Sequence, residues 1–201
     1  MKIIGTLDSP FVRRTLVSFE TLGIEFEHQW LSVLTNVDEF KKVNPVVKAP
    51  TLVCSDGEIL MDSNMIIQYG EQVLAKRSLM PEASKYRTAL QSIALALTAN
   101  EKTVQIVYET RIRPEEKRHD PWLDRVKQQL ECAYDGLHKI YSARAEDHIP
   151  TFTQDDITVA TAWRFTQFIA NDVILAEKYP ALVKLSEFME ATEIFKKYSG
   201  Q

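Results

Sequence analysis

Ser9 follows a short β-branched run and precedes Pro10-Phe11. The position suits a helix start, because Ser is a preferred N-cap and Pro is favoured in the first turn. The hydroxyl has two readings there. It accepts a backbone N–H as a cap, a contribution of about 1 kcal/mol, or it donates to an anion held at the positive end of the helix. Asp62-Ser63 opens a later helix and reads first as a second N-cap. Lys48-Ala49-Pro50 leads into Thr51-Leu52-Val53-Cys54, with the proline fixing the strand entry. Thr153 and Asp156 have the S/T-x-x-D spacing close to a capping box, which predicts a structural role at the start of a buried helix. Tyr108, Arg111, Arg113 and Trp122 flank a charged break, either as partly exposed helix ends or as the wall of a pocket.

Composition narrows the chemistry. The chain has 201 residues, 45% hydrophobic and 26% charged, with a net charge of −4. Such a chain buries a substantial core in one large domain or two small ones. An acidic balance argues against nucleic acid, whose phosphates require a basic face, and against an anionic membrane surface. No apolar run approaches the roughly 18 to 20 residues of a membrane span. Met1 to Thr6 is too briefly apolar, and meets Asp8 too soon, for a secretion signal. Cys54 and Cys132 read as reduced thiols of a cytoplasmic protein. The six glycines are too far apart for a phosphate-binding loop. His28, His119, His138 and His148 have no metal-site spacing, so no metal is expected.

These residues need elements to position them. Lys2 to Thr6 reads as a buried strand. Phe11, Val12, Thr15, Leu16, Phe19 and Leu22 recur at helical spacing, with Arg13, Arg14, Ser18 and Glu20 on the other side, and Gly23 ends the helix. Glu25 to Leu31 alternates imperfectly as a strand, completing a βαβ unit. Asn36 to Val43 reads as a short helix, Thr51 to Cys54 and Glu58 to Met61 as a hairpin, and Asp62-Ser63 as the start of a third helix. Beyond a polar stretch the pattern is helical: Tyr86 to Arg111, Leu123 to Ile140 ended by Ile149-Pro150, Thr153 to Ala170, Ala181 to Glu190 and Thr192 to Tyr198. Trp163 reads as core. The expected organisation is an α/β domain over 1–75, a linker over 76–84 and an all-helical domain over 85–201.

The ordered set of Ser9-Pro10-Phe11-Val12-Arg13-Arg14, Asn44-Pro45-x-x-Lys48-Ala49-Pro50-Thr51-Leu52, Asp62-Ser63-x-x-Ile66-x-x-Tyr69 and Thr153-Gln154-Asp155-Asp156-Ile157 resembles the cytosolic glutathione transferases, in their bacterial, serine-type Ser-Pro-Phe form. The resemblance implies a thioredoxin-like domain followed by an all-α domain. It also implies glutathione as co-substrate with no further cofactor, a small, mostly apolar electrophile as second substrate, and a detoxifying homodimer. Ser9 would then donate to the glutathione thiolate. A free thiol with a pKa near ~8.5 is only about 3% ionised at pH 7, and lowering it by ~2 units takes about 2.7 kcal/mol. A charge-assisted hydrogen bond and a helix dipole supply energy of that order.

By the same resemblance Pro50 is cis, the Ala49 backbone pairs with the cysteinyl unit, and Lys48 meets the glycyl carboxylate. Asp62 takes the γ-glutamyl ammonium, and Ser63 with its helix start takes the neighbouring carboxylate. Phe11, Tyr108, Arg111 and Trp122 would line the second-substrate pocket. Met61, Met65, Leu90, Ile93 and Leu97 would supply apolar material to the dimer interface, or else fill the chain's own cores. The expected activity is thiolate conjugation to an electrophile, the reaction of EC 2.5.1.18. The alternatives are a transferase-like glutathione-binding or regulatory protein with little catalysis, and a glutathione-dependent isomerase. The Ser-Ser-Cys stretch expected of the known isomerases is absent.

Overall fold

Ile3 and Ile4 are almost fully buried in β1 (Lys2–Ile4), as a β-branched run in the middle of a sheet should be. The computed structural model describes residues 1–144 and 150–200. The chain leaves β1 and enters α1 (Pro10–Leu22), with Ser9 at its N-cap and Gly23, in the left-handed conformation, at its C-cap. It returns as β2 (Glu27–Gln29), parallel to β1. After α2 (Val37–Val43) comes the hairpin of β3 (Thr51–Val53) and β4 (Ile59–Met61), then α3 (Ser63–Tyr69). The mixed sheet has the order β2-β1-β3-β4, with β3 antiparallel to both its neighbours. The strands are shorter than the alternation predicts, but pairing reaches beyond β1, since the Gly5 N–H still donates to Gln29 O.

Arg13, Arg14 and Ser18 correct the expected polar face of α1, because all three are buried. Arg13 Nε donates to Tyr198 O at 2.7 Å and its Nη2 to Phe195 O at 3.2 Å. Arg14 turns the other way, toward α3. The short helix α8 (Glu193–Lys197) is therefore tied to α1, and the Tyr198 hydroxyl donates to Glu20 at 2.8 Å. This moves the expected boundary. The chain divides into one compact unit running to Leu79 and including the C-terminal segment from Ala191, and a second running from Met80 to Glu190. The C-terminal residues expected in the helical domain join the α/β unit because Arg13 needs their carbonyls. The expected linker is likewise shared. The Leu79 N–H donates to Glu71 Oε1, and the Arg77 guanidinium reaches Thr21 O, whereas Ala83 already starts a helix.

The second unit holds α4 (Ala83–Val107), α5 (Asp120–Ser142), α6 (Gln154–Ile169) and α7 (Pro180–Glu190). α4 packs on α5 and α6, and α6 packs on α7. Tyr134 and Tyr179 each meet Trp163 edge to face, and their own rings are tilted to one another, in a buried aromatic cluster. The helix expected to run to Arg111 changes at Val107 into a π-helical turn over Tyr108–Ile112. The expected end of α5 at Ile149-Pro150 falls partly on Ile149, which, like His148, lies outside the described residues.

The capping box is not formed as spaced. Thr153 is the N-cap of α6, but its hydroxyl makes no cap bond. Asp156, wholly buried, accepts instead from Arg144 Nη1 at 2.6 Å, the Tyr141 hydroxyl at 3.0 Å and the Thr151 N–H at 3.3 Å. Asp155 accepts from Arg144 Nη2 at 2.6 Å. A guanidinium held between two carboxylates outweighs a neutral cap. Breaking a buried pair from one side strands the other charge, at a cost of about 3–5 kcal/mol. Asp156→Ala should therefore lower the unfolding free energy of the helical unit by that order, read as a lower urea midpoint at unchanged slope. Asp156→Asn, which keeps an acceptor for Tyr141, should cost less.

Candidate functional site

Strand register assembles the candidate residues before any side chain is considered. Ile4 faces Thr51, and Thr51 faces Met61. The loop after β1, the entry to β3 and the exit from β4 therefore lie at one end of the sheet. Those three segments carry Ser9, Lys48-Ala49-Pro50 and Asp62-Ser63. Gly5 sets the closeness of the first two: a Cβ there would lie 2.4 Å from Val12 Cγ2 and 3.1 Å from Ala49 Cβ. Only a residue without a side chain lets α1 and Ala49 press on the same backbone.

Ser9 is half-buried, and its Oγ accepts the Val12 N–H at 3.4 Å. The cap is long, and it uses a lone pair. The hydroxyl proton stays available, so capping and donation to an anion are compatible. The Ala49-Pro50 bond is cis. Behind it, buried Asn44 donates from Nδ2 to Thr51 Oγ1 at 2.8 Å and accepts the Val46 N–H at 3.0 Å, while Thr51 Oγ1 donates to Lys48 O at 2.6 Å. Lys48 itself is exposed. Asn44 was legible only as a member of the Asn44-Pro45 motif, since a buried amide and an exposed one look alike in sequence.

Asp62 is the N-cap of α3, with a φ of 68° that favours glycine, and its carboxylate accepts the Asn64 N–H at 2.8 Å. The Ser63 hydroxyl does not share this cap. It is buried and accepts from Arg14 Nη1 at 2.9 Å. Arg14 also reaches Asn64 Oδ1 at 2.9 Å. Burial pushes the Arg14 pKa down to about 10, with the Asp62 carboxylate pulling the other way, so the group stays charged at neutral pH. Sequence reasoning missed this arginine by placing it on the solvent side of α1. Cys54, half-buried at the end of β3, has its thiol pushed up by burial and by Asp56, so it is a poor nucleophile.

Phe11 sits half-buried in the first turn of α1. In the helical unit, Glu109 joins the π turn to the start of α5. Its carboxylate accepts the His119 N–H at 2.8 Å and Arg113 Nε at 2.8 Å, and these bonds hold its pKa below the usual carboxylate value. The segments carrying exposed Tyr108, Arg111 and Trp122 are thereby neighbours. Among the described residues no group of three or more His, Cys, Asp and Glu is arranged to hold a metal, and no helix is long and apolar enough to cross a membrane.

Residues 3–75 match the family described as glutathione S-transferase, N-terminal domain. Glutathione S-transferase U4 of Arabidopsis thaliana is 27% identical over 82 residues, which span 41% of this chain and 37% of that protein, well under half of each. An uncharacterised GST-like protein, YibF, of Escherichia coli K12 is 25% identical over 197 residues, 97% of this chain and 96% of that one. A glutathione S-transferase of Methylobacterium radiotolerans, solved in complex with glutathione sulfonate, superposes with a TM-score of 0.87 at 23% identity, covering 98% of this chain and 93% of the other. This chain has the glutathione transferase fold. Within that fold, the small mixed sheet and its helices precede a predominantly helical region, as the order of the motifs predicts. The Asp62 cap is a property the fold geometry makes testable. Asp62→Ala should lower stability by about 1 kcal/mol in chemical denaturation, the value of a lost N-cap. Asp62→Asn, which keeps the acceptor and tolerates positive φ, should lower it less.

Proposed function

We propose that the chain is a serine-type glutathione transferase that conjugates the glutathione thiolate to a small, mostly apolar electrophile. The observation that supports this most strongly is the convergence of Ser9, cis Ala49-Pro50 and Asp62-Ser63 at one end of the sheet. In this reading the Ser9 hydroxyl donates to the sulfur as the thiol proton leaves to solvent. The sulfur lone pair then forms the new carbon–sulfur bond while the electrophile's leaving group or π electrons depart. Asp62 pairs with the γ-glutamyl ammonium, and the Ser63 hydroxyl with the adjacent carboxylate. The Ala49 backbone pairs with the cysteinyl amide, and Lys48, free to extend from the surface, meets the glycyl carboxylate. No other cofactor is required. The second-substrate role of Phe11, Tyr108, Arg111 and Trp122 rests on the family resemblance alone. A cytoplasmic location fits two free cysteines, and the detoxifying role rests on the family resemblance.

Retention on immobilised glutathione, followed by turnover across a panel of electrophiles, tests the reading. Retention with turnover supports it. Retention without turnover identifies a glutathione-binding or regulatory protein, and isomerised product with no glutathione consumed identifies an isomerase. Ser9→Ala should reduce turnover by roughly 10- to 100-fold while glutathione affinity changes little, because the hydrogen bond strengthens as charge appears on sulfur. The thiolate absorbance of bound glutathione should titrate at higher pH in that variant. An unchanged titration removes Ser9 from the mechanism.

The same reading includes a homodimer. Met61, Met65 and Leu90 are exposed, whereas Ile93 and Leu97 are half-buried, so these side chains are not all consumed by the chain's own cores. A stable interface buries at least ~1,200 Å² in total, more than these residues provide without a polar rim. Light scattering at micromolar concentration should give about twice 23.1 kDa, and a mass of 23.1 kDa overturns the dimer.

A further inference from the structure

Arg14 heads the large, fully buried side chains among the described residues. A guanidinium removed from water is costly unless its N–H groups are taken up by good acceptors. Two of its partners are side chains at the start of α3. One Nη1 nitrogen, which carries two protons, donates to Ser63 Oγ and to Asn64 Oδ1, each at 2.9 Å. The Asp62 carboxylate adds a Coulombic attraction from beside them. A buried ion pair alone would account for Asp62, but it does not account for a charged donor aimed at a neutral serine.

The consequence lies in the hydroxyl. Serine has one proton and two lone pairs. With a guanidinium N–H on the oxygen, the Ser63 proton points away from Arg14. A cationic donor on the oxygen also polarises the O–H bond and strengthens it as a donor. The carbonyl end of Asn64 is likewise taken, which fixes which way that amide faces. Five residues earlier on the same helix, Ser9 sits at the N-cap. A rigid connection through Arg14 therefore joins the element carrying the proposed thiolate donor to the element carrying the proposed carboxylate donor.

We infer that Arg14 is a positioning residue: its guanidinium occupies the acceptor side of the Ser63 hydroxyl, so that the Ser63 proton is presented to the α-carboxylate of the γ-glutamyl group. This deepens the glutathione reading above and rests on it. Arg14 itself touches no ligand in this scheme. It sets the sense of one hydrogen bond, and the affinity gained should appear only for ligands that carry the carboxylate.

Calorimetric titration of the full-length chain tests this with two ligands, glutathione and its analogue with 4-aminobutyryl in place of γ-glutamyl, which lacks only the α-carboxylate. The wild-type chain should prefer glutathione by about tenfold or more, the value of a hydrogen bond to a charged group. Arg14→Met should weaken glutathione binding by about tenfold and leave the analogue within about twofold. Ser63→Ala should do the same, and the double variant should be no weaker than either single one. Arg14→Lys covers the case in which the Met variant does not fold. Its ammonium nitrogen stands where the guanidinium carbon does, one bond short of Nη1, so it meets Ser63 Oγ poorly and the preference should fall at least about threefold. An Arg14 variant that retains the wild-type preference, or that weakens both ligands equally, overturns the proposal and leaves a purely structural arginine. A wild-type chain that binds both ligands equally overturns the proposal but not the glutathione reading. One that binds neither overturns both.

Discussion

Taking a guanidinium out of water costs several kcal/mol, and the chain repays that cost only by surrounding the group with acceptors. Arg13 and Arg14, adjacent on α1, impose this constraint in two directions at once. Arg13 needs carbonyls, and the C-terminal segment provides those of Phe195 and Tyr198. Arg14 needs side-chain acceptors, and the start of α3 provides Ser63 and Asn64. The first unit is therefore fastened around α1 by charge-assisted bonds, with its apolar core, including Val12, Leu16 and Phe19, filling the remaining space. The candidate site inherits its rigidity from these bonds, because Ser9 begins the helix that both arginines anchor.

The helical unit solves the same problem with a different geometry. Arg144 lies between Asp155 and Asp156 and over the Tyr141 ring, 3.8 Å from its centroid. Burial and the neighbouring carboxylates push the Tyr141 hydroxyl up, so it stays protonated and serves as a donor to Asp156. Glu109 plays a comparable part at the other break, where one carboxylate closes the connection between the π turn and α5. In both places a charged side chain, rather than an apolar contact, decides where a helix starts or a loop closes. Directional bonds suit that task, since hydrophobic contact is nearly indifferent to orientation.

The proposed chemistry asks little of the site. Shifting a thiol by ~2 pKa units takes about 2.7 kcal/mol, which one directed hydroxyl and a helix start can supply. What must be accurate is placement, since a misdirected donor stabilises nothing. Sheet register provides the coarse placement and buried polar side chains the fine one. Asn44 and Thr51 hold the turn before cis Pro50, and Arg14 holds the turn after β4.

Much of the fold was legible in the chain. The βαβ start, the hairpin, the change to helices and the caps at Ser9, Gly23 and Asp62 follow from periodicity and from local backbone preferences, which act over a few residues and leave their mark in sequence. The candidate residues Ser9, Ala49-Pro50 and Asp62-Ser63 were legible for the same reason, as local signals in a recognisable order. Tertiary structure decided the rest. Periodicity put Arg13 and Arg14 in solvent, because a helical wheel scores a charge as polar and knows nothing of acceptors 50 or 185 residues away. The same blindness placed the C-terminal segment in the wrong unit and read a capping box where Arg144 claims Asp156. Local sequence determines which elements form and where they begin. Which buried charge meets which acceptor depends on residues far apart in the chain, and only the folded molecule brings them together.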